Sequence, residues 1–148
     1  MTRGTHETDP VTLAENFLRA IYEGDPGVVW SSFSASARSF IVDRGISRGL
    51  PPELGQALLD GTADVLDHVE FLADLLSGLA KDLETVDLGK VEVERTPIRL
   101  GADRVKVTFV ERFEIEVGPK LEPLPVGSLE MVASEGGWEV ERLNPGPG

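Results

Sequence analysis

The chain has 148 residues, 41% of them hydrophobic and 27% charged, with no cysteine. This length suits one domain with enough apolar material for a core, and it excludes disulfides, thiolate metal sites and a cysteine nucleophile. A formal net charge of −12 disfavours binding driven by a nucleic-acid backbone or an anionic membrane surface.

The acidity is concentrated. Residues 51–87 carry nine acidic side chains and one basic one, whereas residues 1–50 carry a net −1 and residues 88–148 a net −3. The opening MTRGTHETDP is polar, and every later apolar stretch is interrupted well short of the roughly 18–20 residues that span a bilayer. A soluble, cytoplasmic protein without an export signal is expected. It divides into a polar tail over residues 1–9, a single α+β domain over residues 10–143 and a flexible tail over residues 144–148.

Asp9-Pro10 is a helix-start signal, because the Asp accepts from free first-turn N–H groups and Pro loses no helical bond at the next position. Leu13, Phe17, Leu18 and Ile21 recur at helical spacing until Gly24, a stop signal. Asp25-Pro26 repeats the start at once, predicting a short second helix with Val29, Trp30 and Phe33 on its apolar face. Ser34 to Gly49 reads as helix from Ala37, Phe40, Ile41 and Arg44, with a short strand over residues 39–43 as the alternative.

From Glu53 to Asp87 the apolar positions recur every seven residues: Leu58, Val65, Leu72, Leu79 and Val86, with Val69, Leu76 and Leu83 beside them. Gly61 divides the stretch into a short helix and a long one, with Thr62 as the fresh N-cap. Asp60, Asp67 and Asp74, with Glu70 and Glu84, lie opposite the apolar stripe. A coiled coil needs charge pairs beside the stripe, and one cation among nine acids cannot supply them, so this face is expected to pack on a sheet.

After Asp87 the period becomes two. Lys90 to Leu100, Asp103 to Val117, Gly127 to Ser134 and Trp138 to Leu143 read as strands, joined by Gly101-Ala102, a loop with Pro119, Pro123 and Pro125, and Gly136-Gly137. Helices followed by an antiparallel meander define an α+β order.

The stretch ENFLRAIYEGDPGVVWSSFSASAR (Glu15 to Arg38) and the closing GGWEVERL (Gly136 to Leu143) resemble the two ends of the nuclear-transport-factor-2-like superfamily. The resemblance implies N-terminal helices packed on a strongly curved antiparallel meander that forms a cone. It also implies a pocket at the wide end and frequent dimers through the sheet. Members of that superfamily range from isomerases, dehydratases and polyketide cyclases to binding and scaffold domains, so fold alone does not choose among them. In the ketosteroid-isomerase-like branch a catalytic Tyr lies eight residues before the corner Asp; here that position is Phe17. No early hairpin that would carry that branch's base Asp is found between Ser34 and Asp87.

Several residues carry candidate chemistry. Asp64 and His68 lie four apart on the long helix, so an Asp-oriented His base or part of a metal site is conceivable, but a metal needs at least a third ligand. No metal site is expected. Arg38, Arg44 and Arg48 form the one basic cluster, able to hold a carboxylate or phosphate or to pair with the acidic helix. Glu111 interrupts the apolar row of Val105, Val107, Phe109, Phe113, Ile115 and Val117, and a carboxylate there is costly unless paired. Arg95 or Arg142 are the partners within reach.

Glu111, Arg95, Phe109, Phe113, Tyr22 and Met131 are the candidate ligand-binding residues, and Glu111 and His68 the candidate catalytic ones. No phosphate-cradling Gly loop, GxSxG elbow or HExxH is present, and no cofactor is expected. The leading expectation is a non-catalytic module that binds a small apolar ligand or associates with itself. The alternative is an isomerase, dehydratase or hydrolase using Glu111 with His68 or an Arg. A homodimer through the outer sheet face is expected from Val110, Val132 and Leu143.

Overall fold

A computed structural model describes residues 9–111, 124–134 and 137–145. It is an α+β fold in chain order: α1 (Pro10–Glu23), α2 (Pro26–Ser32), α3 (Ala35–Ser47), α4 (Pro52–Asp60) and α5 (Val65–Asp82) precede β1 (Val91–Val93), β2 (Ile98–Gly101), β3 (Arg104–Glu111), β4 (Leu124–Ser134) and β5 (Gly137–Pro145). The sheet is antiparallel in the order β1-β3-β4-β5, and β2 pairs with β3 beyond β1.

Local chemistry sets the helix ends. Asp9 accepts from Thr12 N–H at 2.7 Å and Asp25 from Val28 N–H at 3.3 Å, each followed by Pro at the first helical position. Gly24 closes α1 at φ +78°, a left-handed conformation that costs glycine least. Ser34 caps α3 through Ala37 N–H at 3.0 Å, and residues 35–47 are helix throughout, so the strand alternative for residues 39–43 does not hold. The start of α5 falls at Asp64 instead of Thr62. The N–H groups of both Thr62 and Ala63 turn back to Ala57 C=O, at 2.9 and 3.2 Å, which extends the end of α4 and delays the next helix.

The long amphipathic helix does not take the place expected of it. The core face of the sheet is covered by α1, whose Ala14 and Phe17 are fully buried, while α5 packs chiefly against α2 and α1. Three strand spacings of about 4.8 Å give the face room for one helix about 10 Å wide. Helix α3 lies beside it against β5, so α5 reaches the main core only with its second half, through Leu75, Leu76 and Leu79, followed by the buried Leu83 at its C-cap. A second cluster of Trp30, Val42 and Leu72 ties α2, α3 and α5 together, with Trp30 and Phe71 edge to face at 5.4 Å.

The strand expected over Lys90 to Leu100 is divided. Residues Leu88–Lys90 form one 3₁₀ turn, and between Val93, opposite Phe109, and Ile98, opposite Lys106, the edge carries two more residues than β3 does. Pro97 has no N–H to donate, so this stretch cannot continue the ladder. On the other side, β4 begins at Leu124, and Pro125 lies within the strand beside a register shift next to Gly127. The remainder of the expected proline loop, the strand end over residues 112–117 and Phe113 lie outside the described residues.

A second register shift places Glu141 as an extra residue between Val140, opposite Met131, and Arg142, opposite Glu130. It reverses the parity beyond it. Leu143 therefore pairs with the buried Leu129 and packs on the core, so it is not on the outer face. The outer face carries Lys106, Glu130 and Arg142 in one cross-strand row and Thr108, Ser128 and Asn144 in another. Asn144 and Pro145, expected to fray, are paired in β5, and Asn144 donates to Glu130 at 3.0 Å.

Candidate functional site

A groove lies at each edge of the sheet. The first, about 1000 Å³, runs between α1 and β1. Tyr22, exposed near the end of α1, lines it together with Arg95 from the irregular stretch after β1. Arg95 does not turn to Glu111; its guanidinium meets Glu15 at 3.3 Å, and an ion pair this exposed adds little stability. Four carboxylates, Glu15, Glu23, Glu92 and Glu94, face this groove against Arg19 and Arg95. An anionic ligand would be repelled there.

The second groove, about 1060 Å³, lies between α3 and α5 and ends at edge strand β5. Its walls are apolar: Phe40 and Ile41 from α3, Phe71, Leu75 and Leu79 from α5, and Leu143 from β5. Phe40 is 62% exposed although Val42, two residues on, is buried, because positions two apart lie on nearly opposite sides of a helix. The Arg44 guanidinium stacks over the Phe40 ring at 5.9 Å. Arg44, Arg48, Lys81 and Arg142 line the groove with Asp74, Asp82 and Glu141. In a chain of net charge −12 this is a local excess of cations.

The basic cluster behaves differently from either expectation at Arg38. Its Nε and Nη2 donate to the carbonyls of Trp30 and Ser31, both at 3.1 Å, and its plane lies 5.6 Å from the Trp30 ring. It thereby gives Ser31 C=O a donor at the end of α2, and adds a second donor to Trp30 C=O, which already accepts from Phe33 N–H at 3.2 Å. Arg44 and Arg48 form no ion pair with the acidic helix among the described residues. Both remain available to a ligand.

The remaining candidates are scattered. Phe109 and Met131 are fully buried in the main core and line neither groove. Glu111 stands opposite Val91 on the same face as Phe109, half-buried at the end of β3, and its side chain has no ion pair or hydrogen bond among the described residues. His68 sits one turn into α5, where its N–H donates to Asp64 C=O at 2.9 Å. Neither Glu111 nor His68 lines a groove. Among the described residues, no three carboxylate or imidazole groups gather as a metal site would require, and no helix is long and apolar enough to cross a membrane.

Sequence reasoning singled out Arg44 and Arg48 but missed Phe40, Phe71 and Lys81 as their companions. One signal was present: Phe40 and Arg44 are four apart, so they share a helix face that Val42 does not.

No protein-family model matches the chain, and no curated protein matches it.

Proposed function

We propose that this protein is a non-catalytic binding module whose site is the groove between α3, α5 and β5, taking an elongated apolar molecule with an anionic end. The observation that carries this reading is Phe40 with Arg44 stacked on it: a large exposed ring and a cation with no ion partner among the described residues, on the wall of an open apolar groove. Ligand sites combine mostly apolar walls with a few placed polar groups, at volumes of about 300–1000 Å³, and the groove is at the upper end of that range. The apolar body would lie along Ile41, Phe71, Leu75 and Leu79, and the anion would meet Arg44, Arg48 and Lys81.

A place in the nuclear-transport-factor-2-like superfamily, with a cytoplasmic location, belongs to the same proposal. It is supported by the first helix, the Gly24-Asp25 corner, the short α2 and the antiparallel sheet that follows. Residues 34–87 hold three helices and no early hairpin, and Phe17 is sealed in the core; a steroid-isomerase chemistry has no support. Self-association through the outer sheet face is weakened, because Leu143 turns inward and that face carries Lys106, Glu130 and Arg142.

Calorimetric titration with laurate, a fatty carboxylate used below its micellar concentration, tests the reading. Saturable binding is expected, weakened about tenfold or more when Arg44→Ala and Arg48→Ala are combined, and weakened also by Phe40→Ala. Laurate binding that ignores all three substitutions, or no binding at all, would contradict it.

A further inference from the structure

We infer that the first two turns of α5 form a docking surface for a basic amphipathic helix of a partner protein, separate from the groove. Val65, Leu66 and Val69 are 74%, 76% and 58% exposed, and no residue from Asp64 to Glu70 is buried. From Phe71 and Leu72 onward the helix packs into the cluster with Trp30 and Val42. Solvated helix turns gain nothing from β-branched or large apolar side chains, and Val is a weaker helix former than Ala, Glu or Lys. Apolar residues gathered on such turns mark an interaction site.

Helical spacing places Val65, Leu66, Val69 and Ala73 in one strip, with Glu70 beside Leu66 and with Asp67 further around. From Gly49 to Ala80 the chain holds six acidic residues and no Lys or Arg. Among the described residues Asp64, Asp67 and Glu70 have no ion pair. The strip therefore sits in an uncompensated negative field. An occupant must supply apolar side chains at three- and four-residue spacing to fit the strip, and cations beside them to answer the acids. A second copy meeting the same surface about a two-fold axis would bring acid against acid, and an anionic membrane would be repelled.

The test uses a capped helical peptide of Leu and Lys, about 18 residues or five turns long, with its Leu on one face. A second peptide of the same composition has the Leu scattered. Binding is followed by amide shifts on the labelled protein, with light scattering on the same samples. Binding of the first peptide is expected, with shifts centred on Val65 to Glu70, weakening with salt and about tenfold or more weaker with Leu66→Ser combined with Val69→Ser. Circular dichroism verifies that this variant folds. Asp67→Asn combined with Glu70→Gln should weaken it as well. Equal binding of both peptides, shifts elsewhere, indifference to either pair of substitutions, or an oligomer of the protein already covering these turns would overturn the inference.

Discussion

The ring of Phe109 on β3 occupies the space that a Cβ on its cross-strand neighbour Gly127 would need. The ring is fully buried, and the Asn144 carbonyl stands 3.1 Å from the same position on the β5 side. Sheet packing here depends on an absent side chain.

Gly127→Ala is therefore expected to destabilise the protein by about 1–3 kcal/mol through overpacking, although Ala has the better intrinsic strand propensity. Chemical denaturation with an unchanged slope and a lower midpoint would confirm it. A neutral or stabilising effect would show that the ring can move aside.

Phe17 and Phe33 meet edge to face at 5.3 Å, and Phe17 is fully buried. Phe17→Tyr adds a hydroxyl among apolar neighbours, at a cost of about 1–3 kcal/mol if it finds no partner. Phe17→Ala should cost more, about 3–5 kcal/mol. Thermal unfolding of both variants gives the ordering. If the Tyr variant is as stable as the parent, the middle of α1 opens onto a polar space that the packing denies.

Ser34 ties the start of α3 to β5. Its hydroxyl donates to Glu141 at 2.7 Å and accepts from Ala37 N–H, while its own N–H donates to Val140 C=O at 2.9 Å. Ser34→Ala removes an N-cap, worth about 0.5–2 kcal/mol, and leaves the bulge residue Glu141 without its donor. A double-mutant cycle with Glu141→Gln should return a coupling of at least about 0.5 kcal/mol. Strict additivity would mean that only the cap matters.

Arg38→Lys is not a conservative change at this site. A lysine cannot hold the carbonyls of Trp30 and Ser31 in one planar fork while stacking on Trp30. A loss of about 1–2 kcal/mol is expected, measured by denaturation and accompanied by a change in Trp fluorescence. Equal stability would show that α2 ends without this fork.

The helix starts at Asp9-Pro10 and Asp25-Pro26 were legible because each is decided by adjacent residues, and the structure has both caps in place. The seven-residue stripe predicted a long helix but not its neighbour. That choice depends on α1 having already covered the sheet, which no local pattern encodes. Two-residue parity located Glu111 on the face of Phe109, yet it misplaced Leu143, since one extra residue at Glu141 reverses every position after it. The groove was half legible: Arg44 and Arg48 stand together in sequence, whereas Phe71 and Lys81 come near them only because α5 packs against α2 and meets Val42 of α3 in the second cluster.

The most direct test of the proposed site is where a ligand perturbs the protein. Amide shifts recorded on the labelled protein during a laurate titration should saturate at residues 36–50 of α3, 71–82 of α5 and Glu141 to Leu143 of β5, leaving Tyr22 and residues 89–95 unchanged. Shifts confined to the α1–β1 groove, where Arg95 is already paired with Glu15, would contradict it.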